Sequence, residues 1–458
     1  MNQHQPSKSF PISQTSRRDF VKKSSALMVG GAALASGVSI AHGAHAAGDD
    51  EIKVALIGCG GRGSLAAAQA LKTKGKVTLW AMADAFENRL TQSLRKIGRE
   101  VGDTLGEQEA QQCIQVPKER QFVGLDAYQK AIDSGVDVIV QATPPGFRPL
   151  HVEAAIVAGK HVFTEKPLAV DAPGVRRVLA AGELAKEKGL AVGVGLQRHH
   201  DPGYMETVKR LQDGAIGEIL LTQVYWNSGV LWTRTRADFL KAYDRQPTEM
   251  EYQVNNWYYF NWLCGDHIVE QHIHNLDVSN WVKQSHPVSA KGIGGRGLRG
   301  KEYGQIFDHH FVEYTYPDGS TMMSQCRHQD GCWSQVDEFA IGSSGTSHVS
   351  KAAITAPPWN WEYSGPRVDP YQQEHDDLFA AIRRGESYNE VEYAAHSTMT
   401  AIMGRMATYS GKIIGWDEAI ASDMDLAPSK YDFESEPPVL PNELGEYPIP
   451  VPGKTVVV

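Results

Sequence analysis

What this chain lacks narrows it first. Its 458 residues include only five cysteines. Cys59, Cys113, Cys264, Cys326 and Cys332 are odd in number and scattered, with no C-x-x-C pair. That pattern excludes a disulfide framework and a cysteine zinc ribbon, and Cys326 and Cys332 read as two unrelated buried thiols. No basic stripe is present, and a formal net charge of −9 argues against nucleic-acid binding. The apolar run from Ala26 to Ile40 is too short and too rich in glycine to span a bilayer. What is left is an ordinary globular composition, 41% hydrophobic and 22% charged, with enough chain for two domains and a large core.

The first segment reads as an address. Ser16-Arg17-Arg18-Asp19-Phe20-Val21-Lys22 matches the twin-arginine export pattern, and Ala44-His45-Ala46 is a small-x-small cleavage site. Residues 1–46 are therefore expected to be a signal peptide handled by the twin-arginine translocase, with the mature chain starting near Ala47. The protein is expected to be periplasmic or otherwise exported. No cysteine follows the cleavage site, so neither a lipid nor a membrane anchor is expected. The twin-arginine route carries folded proteins, so whatever cofactor such a protein needs should be held tightly and regenerated in place.

The stretch that organises the remainder is IKVALIGCGGRG, Ile52 to Gly63. A β-branched run breaks into Gly58, Gly60 and Gly63, and an alanine-rich helix follows, the context a G-x-G-x-x-G needs. The turn Gly58-Cys59-Gly60-Gly61-Arg62-Gly63 is the expected pyrophosphate cradle at a helix N-terminus. A second strand, Val77 to Ala83, ends on Asp84, where an acid takes ribose hydroxyls. Asp84 favours NAD; NADP is the alternative, with Arg62 or Arg89 beside a 2′-phosphate.

Strands and helices then alternate. A helix from Phe86 and a polar surface insertion to Lys118 lead to strand Phe122-Val123, then a helix capped by Asp126. Strand Val136–Val140 runs into Thr143 and Pro144, helix His151–Ala158 follows, and strand His161–Thr164 delivers Glu165 and Lys166. After the helix over 174–188, strand Ala191–Val194 leads to Gln197 and Arg198. This α/β order predicts a doubly wound parallel sheet over 47–197, with its ligand beyond the carboxyl ends of the strands. Thr143, Pro144, His151, Glu165, Lys166 and Gln197 are the further cofactor candidates. Residues 198–425 are expected to form a substrate-binding α+β domain around a mostly antiparallel open sheet. The Pro-rich segment 426–458 should be an extended arm, either lying on a neighbouring subunit or loose.

ALIGCGGRG, ATPPGFRPLHVEAAIVAGKHVFTEKPLAVD and GVGLQRHH together resemble the Gfo/Idh/MocA oxidoreductases. The likeness runs from about Ile52 to about Ala421. The resemblance implies an N-terminal Rossmann domain and a second-domain sheet covering the cofactor. It also implies a lysine, here Lys166, bordering both the nicotinamide and the reacting sugar carbon. That lysine precedes a proline that is often cis. The family often pairs second-domain sheets, which implies a homodimer or homotetramer.

NNWYYFNWLCGDHIVEQHIHNLD, Asn255 to Asp277, carries the second half of the chemistry. On one helix starting near Asp266, Asp266, Glu270, His274 and Asp277 fall on a single face, with His267 and Gln271 flanking it. Four ionisable groups beside an aromatic cluster read as a site. The resemblance makes His274 the acid–base histidine, with Glu270 orienting its ring or relaying the proton and Asp277 binding a substrate hydroxyl or the lysine. Alcohol oxidation needs a base near working pH, which histidine supplies with least tuning, while Lys166 stabilises alkoxide-like charge. Trp226, Trp232, Trp257 and Trp262 offer stacking faces for a sugar. Asn227, Asn255, Asn256 and Arg198 offer hydroxyl contacts, and Asp266 and His267 complete the substrate candidates. His267, Glu270 and His274 have a chelating spacing, but no metal site is expected; His309, His310 and His328 read as strand residues near the pocket rim.

These readings combine into an exported NAD-dependent oxidoreductase acting on a sugar, polyol or glycoside hydroxyl. The rival from the same superfamily is a redox-neutral NAD-dependent glycosidase or lyase, which oxidises, eliminates and reduces the ring again. A non-catalytic sugar-binding or assembly protein that retains NAD is the third reading.

Overall fold

The apolar run Ile52–Ile57 becomes β1, the middle of a six-stranded sheet. Its partners are β2 (Val77–Asp84), β3 (Gln121–Val123), β4 (Val138–Gln141), β5 (His161–Thr164) and β6 (Val192–Val194). The order is β3-β2-β1-β4-β5-β6 and every pairing is parallel. β1, β4 and β5 are buried along nearly their whole length, which is why they read as continuous apolar runs rather than alternating ones. The order reverses between β1 and β4, so a crevice opens beyond their carboxyl ends. The computed structural model describes residues 50–458; the expected signal peptide and its cleavage site lie outside the described residues.

A second sheet of nine strands comprises β7 (Ile219–Ser228), β8 (Ser289–Gly295), β9 (His309–Thr315), β10 (Thr321–His328) and β11 (Gln335–Gly342). It continues with β12 (Thr346–His348), β13 (Ala353–Ala356), β14 (Trp359–Glu362) and β15 (Ile414–Gly415). The order is β14-β13-β12-β11-β7-β10-β9-β8-β15. All its pairings are antiparallel except β7 with β10. The expected fold class therefore holds. β10 alternates half-buried and buried residues along its length, so one face of this sheet is packed. Val312, Tyr314 and Met322 share a core with Ala401, Ile402 and Met406 of the helix Val391–Ser410.

The chain then returns to the first sheet. Leu378, Phe379 and Ile382, on the helix Pro370–Arg384, pack into the cluster under Ile52, Val54 and Leu56. The cluster around the helix Val391–Ser410 also holds Ala55 and Ile57 of β1, so this C-terminal helix ties the two sheets.

Several local expectations need correcting. The polar stretch before Lys118 contains a helix, Glu107–Cys113. Asp126 gives no side-chain cap to the helix Ala127–Ile132, because its backbone is already helical. Cys332 is exposed rather than buried, and all five cysteines are free. The C-terminal segment lies on its own chain: Tyr447 packs edge-on against Phe260, its hydroxyl donates to Glu249 Oε1 at 2.6 Å, and Gly453 N bonds Ser410 O at 2.7 Å. Among the described residues no helix is long and apolar enough to cross a membrane.

Candidate active site

The glycine turn is shaped by close backbone approach. Gly58 has φ +96°, and a Cβ there would sit 2.6 Å from Ala142 C and Thr143 N. A Cβ on Gly63 would sit 1.9 Å from Gly58 O, whereas one on Gly60 would meet nothing within 4 Å. Two glycines are therefore required by packing, and the third leaves its backbone open to a ligand. Arg62 and Gly63 lie in the first turn of α1 (Gly61–Leu71), where backbone N–H groups lack intrahelical partners. At the end of β2, Asp84 accepts from Cys59 N at 2.7 Å and Phe86 N at 2.9 Å; burial raises its pKa, opposed by these amides and by Arg89.

Gly58, Gly60, Asp84, Thr143, Pro144 and His151 line one cleft, with Val254 and Trp257 also among its walls. Beside it Tyr128 stacks on His151, ring centroids 4.1 Å apart. Burial holds the His151 imidazole neutral, with a pKa lowered to about 3. Glycine turn, terminal acid and neutral stacked imidazole fit a dinucleotide whose phosphates meet α1 and whose ribose meets Asp84.

Lys166 and His274 are not among the walls of that cleft, so their relation to it rests on the connections between them. Arg148, fully buried, donates from Nε to Thr143 O at 2.9 Å and from Nη1 to Pro167 O at 2.6 Å. It thereby joins a cleft wall to the residue after Lys166. Glu165, immediately before Lys166, pairs with Arg62 of the glycine turn. The Lys166–Pro167 peptide is cis.

Across from Lys166 sits α2 (His267–Glu270), and α3 (Ile273–Lys283) follows it. Lys166 Nζ donates to Glu270 O at 2.5 Å and Glu270 Oε1 at 3.1 Å. Lys166 is 9% exposed, Glu270 7% and His274 5%. His274 stands one turn further on, near-parallel to the Trp226 ring at 6.0 Å, with Nδ1 unpartnered. Burial, then the Lys166, Arg198 and Arg62 charges, push its pKa well below the ordinary histidine value. The turn thus links the Lys166 ammonium, through Glu270, to the segment that carries a neutral imidazole.

The single helical face expected from Asp266 to Asp277 does not form. Gly265 and Asp266 both have positive φ, +75° and +72°, and the chain turns again between Glu270 and Ile273. The four ionisable groups therefore point different ways. Asp266 turns inward to Tyr409 and Phe307, and His267 is buried with it. Asp277 accepts from Ser397 at 2.7 Å and lies 2.8 Å from His199 Nε2, lining a separate cavity with Trp281 and Tyr393.

Glu270 binds Lys166 instead of orienting the His274 ring. Arg198 is held by Glu338 with Tyr204 beneath it, so its guanidinium is satisfied internally. Gln197 donates to Tyr371 at 3.1 Å, beside the Arg62 guanidinium rather than in the cleft. Trp257 lines the nucleotide cleft, and Trp262 is buried, donating to Gln253. Of the tryptophans, Trp226 is the one placed beside His274.

Sequence reasoning missed Arg148 and the anchoring of Arg62. Besides Glu165, Arg62 pairs at 2.8 Å with Glu374, which burial and Glu165 push well above the ordinary carboxylate range. No local pattern announces these contacts, because Pro167, Glu165 and Glu374 are brought in from distant parts of the chain. Arg62 is consequently committed to acids, which leaves Arg89 as the basic group on the cleft wall.

Residues 52–196 match the model of the Gfo/Idh/MocA oxidoreductase family, NAD-binding Rossmann fold. An inositol 2-dehydrogenase of Pseudomonas fluorescens is 34% identical over 167 residues, 36% of this chain and 41% of that protein. A second, from Acidiphilium cryptum, is 26% identical over 56% of this chain and 69% of its own length. A scyllo-inositol 2-dehydrogenase (NAD(+)) of Bacillus subtilis is 25% identical over 37% and 43%. Against the first of these, the similarity spans less than half of the relative's length. Among solved structures, the aldose-aldose oxidoreductase of Caulobacter crescentus covers 80% of this chain and 100% of its own at TM-score 0.60 and 16% identity. The scyllo-inositol dehydrogenase of Lactobacillus casei with NAD(H) and scyllo-inositol gives 0.56 and 17% over the same shares. At such identities these structures establish the shared fold.

Proposed function

We propose that this chain, a Gfo/Idh/MocA-type oxidoreductase by its NAD-binding Rossmann domain, oxidises a secondary hydroxyl of a cyclic polyol, sugar or glycoside. The observation that carries the reading is the meeting of Lys166 with the turn that leads into His274, beside the glycine-turn cleft. Bound nicotinamide would supply the hydride acceptor. Lys166 would donate from Nζ to the reacting oxygen, lowering the hydroxyl's pKa and holding alkoxide charge as it develops. His274, kept neutral by burial and by Lys166, would take the hydroxyl proton. Glu270 keeps the ammonium oriented from behind. Trp226 offers an apolar ring to the C–H face of the substrate.

Export supports a tightly held cofactor. The twin-arginine pattern would place the folded protein outside the inner membrane, where a dissociating dinucleotide is lost. The test is to denature purified protein, identify the released nucleotide, and screen inositols, aldoses and glycosides for its reduction by absorbance. A polyol or sugar that reduces bound NAD supports the reading. Release of reducing sugar from a glycoside with no net change in nucleotide supports the redox-neutral glycosidase instead.

A further inference from the structure

Behind α2, away from Lys166, the chain buries a cluster of imidazoles that the proposed reaction does not use. Asp266 and His267 come from the turn and α2, His310 from β9 and His328 from β10, and all four are between 0% and 3% exposed. Asp266 Oδ1 lies 3.9 Å from His267 Nε2 and 3.3 Å from His310 Nε2. One donor atom from each of these three residues falls within 4.8 Å of the others. A tetrahedral site with metal–ligand bonds of about 2.0–2.1 Å has ligand–ligand edges of roughly 3.3–3.4 Å, so the cluster is already near that size.

Hydrogen bonds orient two of the donors, on His310 and Asp266, toward each other. His310 Nδ1 is 2.9 Å from Thr408 Oγ1, and that hydroxyl donates to the backbone carbonyls of Gly404 or Arg405. Thr408 is therefore an acceptor for Nδ1–H, which leaves a lone pair on Nε2 facing the Asp266 carboxylate at 3.3 Å. Two lone pairs so placed repel unless a cation or a proton lies between them. Asp266 Oδ2 in turn accepts from Tyr409 Oη at 2.6 Å and Phe307 N at 2.9 Å, the pattern of outer partners that fix a ligating carboxylate.

His267 has no hydrogen-bond partner at either ring nitrogen, and neither does His328, whose ring stacks on it at 4.5 Å. Asp266 also keeps a positive φ, a conformation that persists only where surroundings impose it. Against a cation stands the buried Arg299 guanidinium, which bonds the Phe307 carbonyl at 2.6 Å and whose charge acts on Asp266.

We propose that Asp266 Oδ1, His267 Nε2 and His310 Nε2 hold one divalent transition-metal ion of the zinc class, with His328 the neighbouring imidazole available as a fourth donor. Mixed imidazole and carboxylate donors suit zinc and its borderline neighbours. The ligands are closed off from solvent, so the ion is structural. It ties the turn before α2 to β9 and so fixes the Glu270 carbonyl that Lys166 uses.

The test uses the full chain produced with zinc in the medium, and its readouts do not depend on turnover. Elemental analysis should find about one equivalent of metal per chain. A chelator that removes it should lower the thermal midpoint by at least ~5 °C, the order expected for a tightly held ligand, and zinc should restore it. Cobalt(II) loaded into the stripped protein should give visible d–d absorption. His310→Ala should lose the metal while retaining NAD binding; if that variant does not fold, the wild-type chelation and cobalt measurements decide alone. Metal below about a tenth of an equivalent, with no zinc-dependent midpoint, would overturn the proposal. Stoichiometric metal retained by both His310→Ala and Asp266→Asn would overturn it as well, by placing the ion elsewhere.

Discussion

Replacing Lys166 by methionine separates the stability of the turn it binds from the chemistry proposed for it. Lys166 gives Glu270 two bonds, to its carbonyl at 2.5 Å and its carboxylate at 3.1 Å, and both side chains are about nine-tenths buried. Glu270 Oε2 already has no partner. Removing the ammonium leaves a buried, uncompensated carboxylate, a change of roughly 3–5 kcal/mol for a pair broken from one side. Glu270→Gln leaves the ammonium with the carbonyl alone, a smaller loss. In Lys166→Met/Glu270→Gln the stranded charge is gone, so the double variant should recover ~1–3 kcal/mol relative to the sum of the singles. Turnover should not recover with it: both variants lacking Lys166 should lose roughly 10²–10³-fold in kcat, the scale for removing one preorganised charge-stabilising group. Urea unfolding midpoints give the first quantity and single-turnover reduction of NAD the second. Stabilities that add within ~0.5 kcal/mol, or a double variant that regains activity along with stability, would refute the reasoning.

Three other outcomes follow from the same geometry. His274 is depressed by burial and by Lys166, and a lowered histidine pKa favours the neutral base, so the acid limb of kcat/KM should fall below the ordinary value of about 6.5; a limb at or above that value contradicts it. Gly63→Ala places a Cβ 1.9 Å from Gly58 O, so the turn must open, and purified protein should carry little nucleotide by denaturation assay. Asp84→Asn removes the acid that favours a ribose hydroxyl and leaves Arg89 on the wall, so the ratio of NAD to NADP affinity should fall about tenfold or more by titration, equivalent to roughly 1.4 kcal/mol.

The nucleotide domain was legible because its signal is local. Strand, glycines, helix and Asp84 occupy one stretch; Gly63 is fixed by a contact within that unit, Gly58 by one with the end of β4, and Gly60 is left open. The second sheet could be read from alternation at β7, β9, β10 and β11, but β12 to β15 are two to four residues long, too short for a period to show. The reading of Asp266 to Asp277 as one face failed at two backbone events, the positive φ pair at Gly265–Asp266 and the turn after Glu270. A left-handed aspartate leaves no trace in composition. The pairing of Arg62 with Glu374 spans 312 positions, and the imidazole cluster draws on two strands and a turn. Such arrangements become visible only when the fold assembles them.

The central claim is that Lys166 and His274 act on one hydroxyl whose carbon gives up a hydride. Single-turnover reduction of enzyme-bound NAD by a polyol or sugar deuterated at the reacting carbon tests it most directly, in wild type and His274→Ala. Wild type should slow with the deuterated substrate, and His274→Ala should bind nucleotide normally while reducing it at least a hundredfold more slowly, roughly the contribution of a positioned general base. Reduction by His274→Ala at the wild-type rate would contradict the claim.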